Sequence, residues 1–366
     1  MQEKTTTNEQ NLPLVVGVDL GGTHTRTAVL QGPKLHSRVS FLTGENPSPE
    51  RILPRVYGAI QQALDEAHIT LDQISGIGVA TPGPLDNRTG VIYSPPNLPG
   101  WDNIPLRDLI LQHFNTPTFI ENDAHTAGLG EYMFGAGRGS RNMVYLTVST
   151  GIGGGVIIDG KILEGANGTA GELGHMTIDW RGERCNCGNI GCLEYLASGR
   201  AIARYANEAI AVGQGTDLLA FASTMLEHIT TVPDQGALPA QDPNTQPLDK
   251  YDELRGEEEP LLVNARTVAR AAEAGIPLAR DIVTQAAEAL GVGLVNIIHI
   301  YNPDMIILGG GVMQMGRMLM EPALRIVQER AMKAPGDAVR IVLAQLTRNA
   351  GLVGAGALIY SHLGKL

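Results

Sequence analysis

Cysteine, aromatic residues and positive charge are all scarce in this sequence of 366 residues. It has three cysteines, 4% aromatic residues, and 27 lysines and arginines against 38 aspartates and glutamates, so its formal net charge is −11. Three cysteines cannot all pair within one chain, which excludes a disulfide-stabilised secreted scaffold. An acidic chain with few aromatic residues also lacks the basic surface and the stacking platforms of a nucleic-acid-binding protein.

Targeting and membrane signals are also lacking. Residues 1–11 are polar and contain no apolar stretch of the kind found in signal peptides. Polar residues and a proline interrupt the longest apolar segment, residues 290–312, so it predicts a helix followed by a strand and not a membrane span. We therefore expect a cytoplasmic protein that does not associate with membranes or nucleic acid.

What the chain does contain indicates two globular domains. Hydrophobic residues make up 43% of the sequence, and its length exceeds what a single core usually holds. The apolar segment Leu14–Leu20, a glycine turn and residues 23–30 predict a β-hairpin. Residues 142–149 and 156–158, separated by a glycine-rich turn at 150–155, predict a second one. Recurrence of this unit about 130 residues along the chain indicates two related halves.

The remaining elements follow from hydrophobic periodicity and from glycine and proline positions. Residues 233–260 differ from the rest, because five prolines and eight acidic residues leave almost no apolar pattern, and they predict an exposed, mobile insertion. Helices are predicted at 49–68, 106–114, 123–134, 265–300 and 350–361, and further strands at 74–80, 118–121, 304–308 and 341–346.

The most specific chemical pattern combines His175 with Cys185, Cys187 and Cys192, in the spacing His-x9-Cys-x-Cys-x4-Cys. Thiolates and imidazole are ligands that suit Zn²⁺, and four of them complete a tetrahedral structural site. Three intervening glycines allow the tight turns that such a knuckle needs. A chance cluster of buried cysteines fits poorly with three of them inside eight residues of a loop-like stretch, so the pattern predicts zinc.

Two glycine turns follow strands and indicate phosphate binding. Each presents consecutive backbone N–H groups and a hydroxyl, which form an anion-binding concavity, and the carboxylate of Asp19 beside the first can hold Mg²⁺. Neither turn has the Gly-Lys-Ser/Thr ending of a P-loop or a dinucleotide fingerprint. Either turn alone is typical of a simple hairpin, but the pair favours phosphate. The residues concerned are Asp19, Gly21, Gly22, Thr23, Thr150 and Gly151.

Asp123 stands at a predicted strand-to-helix junction. Aspartate is a preferred helix N-cap, so its position fits capping and catalysis equally well. The carboxyl end of a strand in a doubly wound sheet faces the ligand crevice, which keeps the catalytic interpretation open. Glu172, His175 and Glu194 are further candidates. Taken singly, each of them fits a solvated or structural role better than a functional one.

With these motifs in order, the sequence resembles the ROK family of sugar kinases and sugar-responsive repressors, most closely its glucokinase members. The resemblance extends from Leu14 to the C-terminus, apart from residues 233–260. The most specific match is Gly171-Glu172-x-Gly-His175 followed by Cys185-x-Cys187-Gly188-x-x-Gly191-Cys192-x-Glu194. Further matches are Asp19-Leu-Gly-Gly-Thr23, Thr81-Pro-Gly-Pro84, Asn97-x-x-Gly-Trp101, Glu121-Asn-Asp123 and Leu308-Gly-Gly-Gly311.

This resemblance implies the actin-like ATPase or hexokinase-type fold, in which two α/β domains with mixed sheets close over a cleft. It places the N-terminal domain at residues 14–122. The C-terminal domain would span 123–349 and carry the zinc knuckle at 175–192 and the insertion at 233–260. The last helix, from about residue 350 to 366, would pack back on the first domain.

The resemblance also implies an activity and a role for each matching residue. The protein would transfer a phosphoryl group from ATP with Mg²⁺ to the 6-hydroxyl of a hexose, with Asp123 as the general base. Sugar ligands would be Gly83, Asn97, Asn122, Asp123, Glu172, His175 and Glu194, with His175 also bound to zinc. Phosphate and nucleotide contacts would come from Asp19, with Mg²⁺, and from Gly21, Gly22, Thr23, Thr150, Gly151, Gly309, Gly310 and Gly311.

Several alternatives stay open at this point. Kinases of N-acetylhexosamines, fructose and other hexoses share much of the pattern, although the segment at 81–84 favours glucose. The phosphoryl donor could be ATP or polyphosphate. A non-catalytic sensor or repressor is the alternative of a different class, but only 13 residues precede the first strand and they show no helical pattern or basic cluster. A homodimer or a dimer of dimers is expected from family analogy alone.

Overall fold

The structure, a computed structural model, describes residues 11–44, 47–95, 97–230 and 263–365, with side chains up to residue 225 in the third range. The insertion predicted at 233–260 lies outside the described residues. Two large mixed β-sheets with helices packed against them form the described part of the chain.

The first half of the chain builds one large sheet and one small sheet. Three short strands between residues 85 and 104 pair into the small antiparallel sheet, where the sequence predicted only turns, because two- and three-residue strands are too short to show an alternating pattern. The elements are β1 (Leu14–Leu20), β2 (His24–Gln31), β3 (Lys34–Leu35), β4 (Val39–Leu42), α1 (Pro49–Ala67), β5 (Ile74–Thr81), β6 (Leu85–Asp86), β7 (Val91–Tyr93), β8 (Asp102–Ile104), α2 (Leu106–Phe114), β9 (Thr118–Asn122) and α3 (Asp123–Phe134).

The second half builds the other large sheet and most of the helices. The predicted helix at 265–300 is interrupted at residues 274–276, because Gly275 has a left-handed backbone (φ +94°) and Pro277 starts a new helix. The elements are β10 (Met143–Val148), β11 (Ile152–Ile158), β12 (Lys161–Ile162), α4 (Leu193–Ala197), α5 (Gly199–Ala211), α6 (Thr216–Thr230), α7 (Ala265–Glu273), α8 (Pro277–Tyr301), β13 (Met305–Gly309), α9 (Arg317–Arg330), α10 (Lys333–Ala338), β14 (Arg340–Leu343) and α11 (Ala350–His362).

The two large sheets share one strand arrangement. In the first, the antiparallel hairpin β1–β2 continues through the parallel strands β5 and β9. In the second, the antiparallel hairpin β10–β11 continues through the parallel strands β13 and β14. The repeated strand–turn–strand pattern in the sequence therefore corresponds to equivalent hairpins in the two sheets.

The second hairpin differs from its prediction in one respect. Strand β11 begins at Ile152 and not at Val156, so Gly153 and Gly155 belong to the strand and only residues 149–151 form the turn. Helix α3 crosses these glycines so closely that a Cβ at Gly155 would lie 3.0 Å from the carbonyl oxygen of Ala124. These glycines therefore allow α3 to pack closely against β11, and they do not belong to a longer loop.

Helix α8 is the one helix in the described ranges that is long and apolar enough, by length and composition alone, to cross a membrane. Its residues Leu290, Leu294 and Ile298 are buried in the largest core, where the helix packs against α9. That burial is typical of a core helix in a soluble protein. The expected helix-then-strand order at 290–312 is confirmed, since α8 ends at Tyr301 and β13 begins at Met305.

Helix α11, the last helix of the described chain, packs back on the first half, against β1, β5 and α3. It is rich in small residues, and nearly all of it is buried. The approach to β5 is close enough that a Cβ at Gly78 would overlap the carbonyl oxygen of Ala355. The strand therefore has no room for a side chain at position 78.

Replacing Gly78 with alanine should destabilise the protein, because the added methyl group meets buried backbone that cannot move away alone. We expect Gly78→Ala to lower the free energy of unfolding by about 3 kcal/mol or more. Gly58→Ala is the matched control, since Gly58 lies in α1 with no atom within 4 Å of the added Cβ. It should be neutral or stabilising by up to about 1 kcal/mol. Urea unfolding of both variants tests this, and equal midpoints would contradict it.

Candidate active site

The carboxyl ends of three neighbouring strands form the edge at which the candidate residues gather. In the sheet register, Asp19 of β1 pairs with Ala80 of β5, which pairs with Glu121 of β9. Asp123 begins α3 immediately after β9. The structure therefore brings the predicted Mg²⁺ ligand and the predicted base to one edge of the first sheet, as expected for a ligand crevice in an α/β protein.

Asp123 has the electrostatic environment of a proton acceptor. Its side chain stays accessible to solvent at this edge. Desolvation by the surrounding protein and then the negative charge of Asp19 raise its pKa to about 6, and the backbone N–H of Ala124, which donates to Oδ1 at 2.8 Å, opposes the rise. A carboxylate with a pKa near 6 is ionised at neutral pH but binds a proton far more readily than an unperturbed aspartate.

The helix cap belongs to Asn122 and not to Asp123. The Oδ1 atom of Asn122 accepts hydrogen bonds from the backbone N–H groups of Ala124 at 2.9 Å and His125 at 3.3 Å. Of the two interpretations left open by the sequence, capping is therefore performed by the neighbouring residue. The side-chain acceptor of Asn122 is used in the cap, so only its amide N–H₂ remains to face a ligand.

The predicted sugar ligands Gly83 and Asn97 lie close to this edge. A Cβ at Gly83 would be 3.2 Å from the Nδ2 atom of Asn122. Asn97 is exposed, and its carbonyl oxygen lies 2.8 Å from the position of a Cβ at Gly22, in the first glycine turn. The structure thus places one predicted sugar residue against the base-bearing junction and the other against a predicted phosphate turn.

Asp19 is paired with an arginine that the sequence reasoning missed. Arg26 Nη1 donates to Asp19 Oδ2 at 3.1 Å. Burial raises the pKa of Asp19, and the positive charges of Arg26 and Arg38 partly offset that rise. Counting outward from the predicted turn pairs Asp19 with Arg26 on the facing strand, so the hairpin spacing contained the signal. Arg38 precedes the short strand β4, which the sequence did not predict.

The side chain of Glu194 contacts the second glycine turn. Its Oε2 atom accepts a hydrogen bond from the backbone N–H of Ile152 at 2.8 Å, and a Cβ at Gly151 would lie 2.5 Å from the same oxygen. Glu194 follows Cys192 by two residues, so α4 places it between the cysteine cluster and the turn. This carboxylate, predicted as a sugar ligand, contacts a predicted phosphate loop in this structure.

The cysteine cluster has the geometry of a metal site. One ligand atom each from His175, Cys185, Cys187 and Cys192 lie within 4.8 Å of one another. The Sγ atoms of Cys187 and Cys192 are 3.6 Å apart, and Cys185 Sγ is 3.9 Å from His175 Nδ1. A tetrahedron with Zn–S bonds of about 2.3 Å has S–S edges of about 3.8 Å, so the donor set fits structural zinc.

The thiols also show why a cation suits the cluster. Burial and hydrogen bonds that the Cys192 thiol makes with Cys187 and Cys185 raise the pKa of Cys192 to about 12, so this thiol would be protonated at neutral pH without a cation. A bound Zn²⁺ replaces those protons. With Nδ1 of His175 directed to the cluster, its Nε2 atom lies 4.0 Å from Glu172 Oε2. The geometry allows the two ring nitrogens to serve different ligands.

The predicted nucleotide residues Gly309, Gly310 and Gly311 lie at the carboxyl end of β13, beside β10. Gly310 has a left-handed backbone (φ +90°), and a Cβ there would overlap the carbonyl of Val148. A cavity of about 730 Å³ opens between the ends of α7, α8 and α9. Its lining is Ala272, Glu273, Arg280, Val283, Thr284, Arg317, Met318, Glu321, Pro322 and Arg325.

Removing a cysteine ligand should remove the metal. We expect Cys185→Ser to bind zinc at least about 100-fold more weakly, because even second-shell changes cost about 10–100-fold. Asn186→Ser, an exposed neighbour in the same turn, is the control and should keep one zinc per chain. Elemental analysis of protein purified without chelator measures the stoichiometry. Wild-type protein without zinc would contradict the assignment.

Comparison with known proteins identifies the family of this chain. The sequence profile of the ROK family matches residues 15–362. A glucokinase from Halalkalibacterium halodurans is 33% identical over 346 residues, which are 94% of this chain and 94% of that protein. A xylose repressor from Caldicellulosiruptor bescii is 29% identical over 360 residues, which are 95% of this chain and 78% of the repressor.

A solved structure shows the same architecture. The crystal structure of a ROK family glucokinase from Streptomyces griseus, in complex with glucose and AMPPNP, has 29% sequence identity and a TM-score of 0.73. The similarity covers 94% of this chain and 98% of that one. The expected actin-like fold with two mixed sheets is therefore confirmed, and because the profile spans almost the whole sequence, the chain belongs to the ROK family.

Proposed function

We propose that this protein is an ATP-dependent kinase that phosphorylates the 6-hydroxyl of a hexose, with glucose as the first candidate. The observation that carries the proposal is the solvent-accessible carboxylate of Asp123, with its raised pKa of about 6, on the strand edge that it shares with Asp19. Similarity to glucokinases along 94% of the chain supports both the reaction and the sugar.

In the proposed reaction, Asp123 accepts the proton of the sugar hydroxyl as that oxygen attacks the terminal phosphorus. Phosphoryl transfer requires mainly positioning and charge stabilisation, with one group to take the proton. Asp19 would hold Mg²⁺, which neutralises charge on the phosphate oxygens when ATP is bound. Backbone N–H groups at Gly21, Gly22 and Thr23 would bind phosphate oxygens from the first turn.

The second turn and the triple glycine would hold the rest of the donor. Thr150 and Gly151 would contact phosphates opposite the first turn. Gly309, Gly310 and Gly311 would lie along the adenosine. Along the chain, that turn is followed by a short 3-10 helix, Gly311–Met315, and then by α9, which lines the cavity together with α7 and α8. We place the nucleoside end of ATP there.

Hexose hydroxyls would be bound by groups around Asp123. The amide of Asn122, the carboxylate of Glu172 and the Nε2 atom of His175 provide donors and acceptors, with Gly83 and Asn97 at the margin. Zinc on Nδ1 would fix the orientation and tautomer of the His175 ring. Glu194 would join the sugar site by releasing the N–H of Ile152, to which it is hydrogen-bonded in this structure.

The main alternative is a sugar-responsive regulator without catalysis, given the similarity to a xylose repressor. A regulator needs the sugar ligands but has no use for an accessible carboxylate with a pKa near 6 beside two predicted phosphate turns. The geometry therefore favours a kinase. Polyphosphate as the donor, and fructose or an N-acetylhexosamine as the acceptor, are the alternatives within the kinase class.

Our proposal for the domains is a boundary between Asn122 and Asp123. The first domain would span 14–122 with α11 packed against it, and the second would span 123–349. The close contacts of α11 with β1 and β5 support this division. We further propose a cytoplasmic homodimer or dimer of dimers, which rests on the soluble character of the fold and on family analogy.

Replacing the base should abolish transfer and spare binding. We expect Asp123→Asn to lower kcat by about 10²–10⁴-fold, the usual contribution of a general base, while calorimetry still detects sugar binding. ADP release with a panel of hexoses, amino sugars and both donors measures wild type and variant together. Asp217→Asn is the control, because Asp217 is an exposed aspartate in the first turn of α6.

Two outcomes would contradict the proposal. Wild-type protein that turns over no sugar in the panel with either donor would exclude the kinase function. Near-normal turnover by Asp123→Asn would exclude Asp123 as the base while leaving the kinase function intact.

Activity should also depend on pH through the same group. Because the base must be ionised, we expect kcat/KM to be constant above neutrality and to fall tenfold per pH unit well below the Asp123 pKa of about 6. An unperturbed aspartate would show its fall near pH ~3.9. A pH profile with a hexose below its KM measures this limb, and full activity near pH ~5 would contradict the assignment.

A further inference from the structure

A buried histidine that the proposed mechanism does not use lies two residues after the base. His125 is in the first turn of α3 and is only 3% exposed. A histidine at such depth must satisfy both ring nitrogens, since an unpaired polar atom away from water is costly. The partners of those nitrogens determine the protonation state of the ring.

Both ring nitrogens of His125 face acceptors. Nδ1 lies 3.1 Å from Oε1 of Glu121, and Nε2 lies 2.7 Å from the carbonyl oxygen of Ala170. Glu121 also accepts from the backbone N–H of Asn122 at 2.8 Å and from the Nδ2 atom of Asn87 at 2.7 Å. Glu121 thus faces two backbone or side-chain donors besides His125, and the carbonyl oxygen of Ala170 can only accept.

The ring is therefore an imidazolium, because each of its nitrogens has to donate. Burial alone would lower the pKa of His125, but the hydrogen bond and charge of Glu121, the Ala170 carbonyl and the charge of Glu172 together raise it. The charged groups that act on it are Glu121 from β9, Glu172 from the loop before the cysteine cluster, and Asp123 on its own helix. The side chains of both His125 and Glu121 are buried.

The bond to Ala170 connects two parts of the site. Ala170 precedes Glu172 by two residues, and a Cβ at the intervening Gly171 would lie 3.1 Å from Nε2 of His125. Asn87, which bonds Glu121, also contacts this loop, since its Oδ1 atom lies 3.1 Å from the position of a Cβ at Gly168. One hydrogen-bonded chain thus joins β9, the start of α3 and the loop that carries Glu172.

We propose that His125 is a positioning residue, a fixed buried imidazolium that holds the Glu172 loop against the helix of Asp123 and favours the ionised form of that base. The charge effect follows from geometry, because a cation buried within the same helical turn stabilises a neighbouring carboxylate. The kinetic consequences rest on the proposed kinase function, whereas the protonation state and the charge effect can be measured without it.

The protonation state is tested by NMR on the full-length protein with ¹⁵N-labelled histidine. The signal absent from His125→Gln identifies the residue, and His125→Asn serves if that variant does not fold. We expect both ring nitrogens to carry protons at about pH 7.5, above the usual histidine pKa of ~6.5. A neutral ring at that pH would overturn the proposal.

The effect on the base is tested by titrating Asp123 through its ¹³C-labelled carboxyl group in wild type and His125→Gln. Loss of the cation should move the Asp123 midpoint to higher pH. His113→Gln is the matched control, because His113 is exposed on α2 and should leave the midpoint unchanged. An unmoved midpoint in His125→Gln would overturn the charge effect, whether or not the protein phosphorylates sugars.

Kinetics provide the readout that a purely structural role would not give. Relative to wild type, His125→Gln should lose about threefold more kcat/KM at about pH 5.5 than at about pH 8, because its base is protonated earlier. KM for the hexose should rise, since the loop of Glu172 loses a tether. An equal loss at both pH values with unchanged KM would contradict the positioning role. Absence of turnover in wild type would instead count against the kinase function alone.

Discussion

Two carboxylates share one strand edge, and much of the architecture serves to make that arrangement stable. Asp19 and Asp123 repel each other, and the protein around them reduces the hydration of their charged forms, although Asp123 stays accessible to solvent. Arg26 donates a hydrogen bond to the Asp19 carboxylate at 3.1 Å, and the backbone N–H of Ala124 donates one to the Asp123 carboxylate at 2.8 Å. These contacts do not fully compensate the repulsion and the desolvation, so the pKa of Asp123 stays raised. A site for Mg²⁺ and phosphates needs some charge that its protein partners leave uncompensated, because a fully neutralised edge would have no electrostatic preference for a ligand.

The sequence predicted those features that are determined by the spacing of residues close together in the chain. Leu14–Leu20, the glycine turn and the next strand define a hairpin by themselves, and the four predicted zinc ligands lie within 18 residues of chain. Helix α3 was predicted at both ends, from Asp123 after a strand to about Phe134. These features depend on interactions between residues close in the chain, which a single sequence contains in full.

What the sequence could not supply depends on distant contacts. The glycines of β11 resemble a turn until α3 is seen crossing them. The helix break at 274–276 is different, because Gly275 and Pro277 are local signals that the sequence prediction did not use. The bond from His125 to Ala170 spans 45 residues, so no local pattern announces it. Capping by Asn122 was missed for a different reason, because Asn and Asp are nearly equal as N-caps and only the atomic contacts distinguish them.

The close fit of α11 has a consequence for the order in which the protein acquires its active site. Gly351, in the first turn of that helix, lies against the carboxylate of Asp19, and a Cβ there would come within 2.6 Å of Asp19 Cγ. The first strand and the last helix of the described chain therefore complete one site together. During synthesis, the hairpin that carries Asp19 is made before α11, so the contact between Asp19 and Gly351 forms only after the last helix of the described chain is complete. This edge of the first sheet is thus completed by a long-range contact, which is typical of the slower folding events.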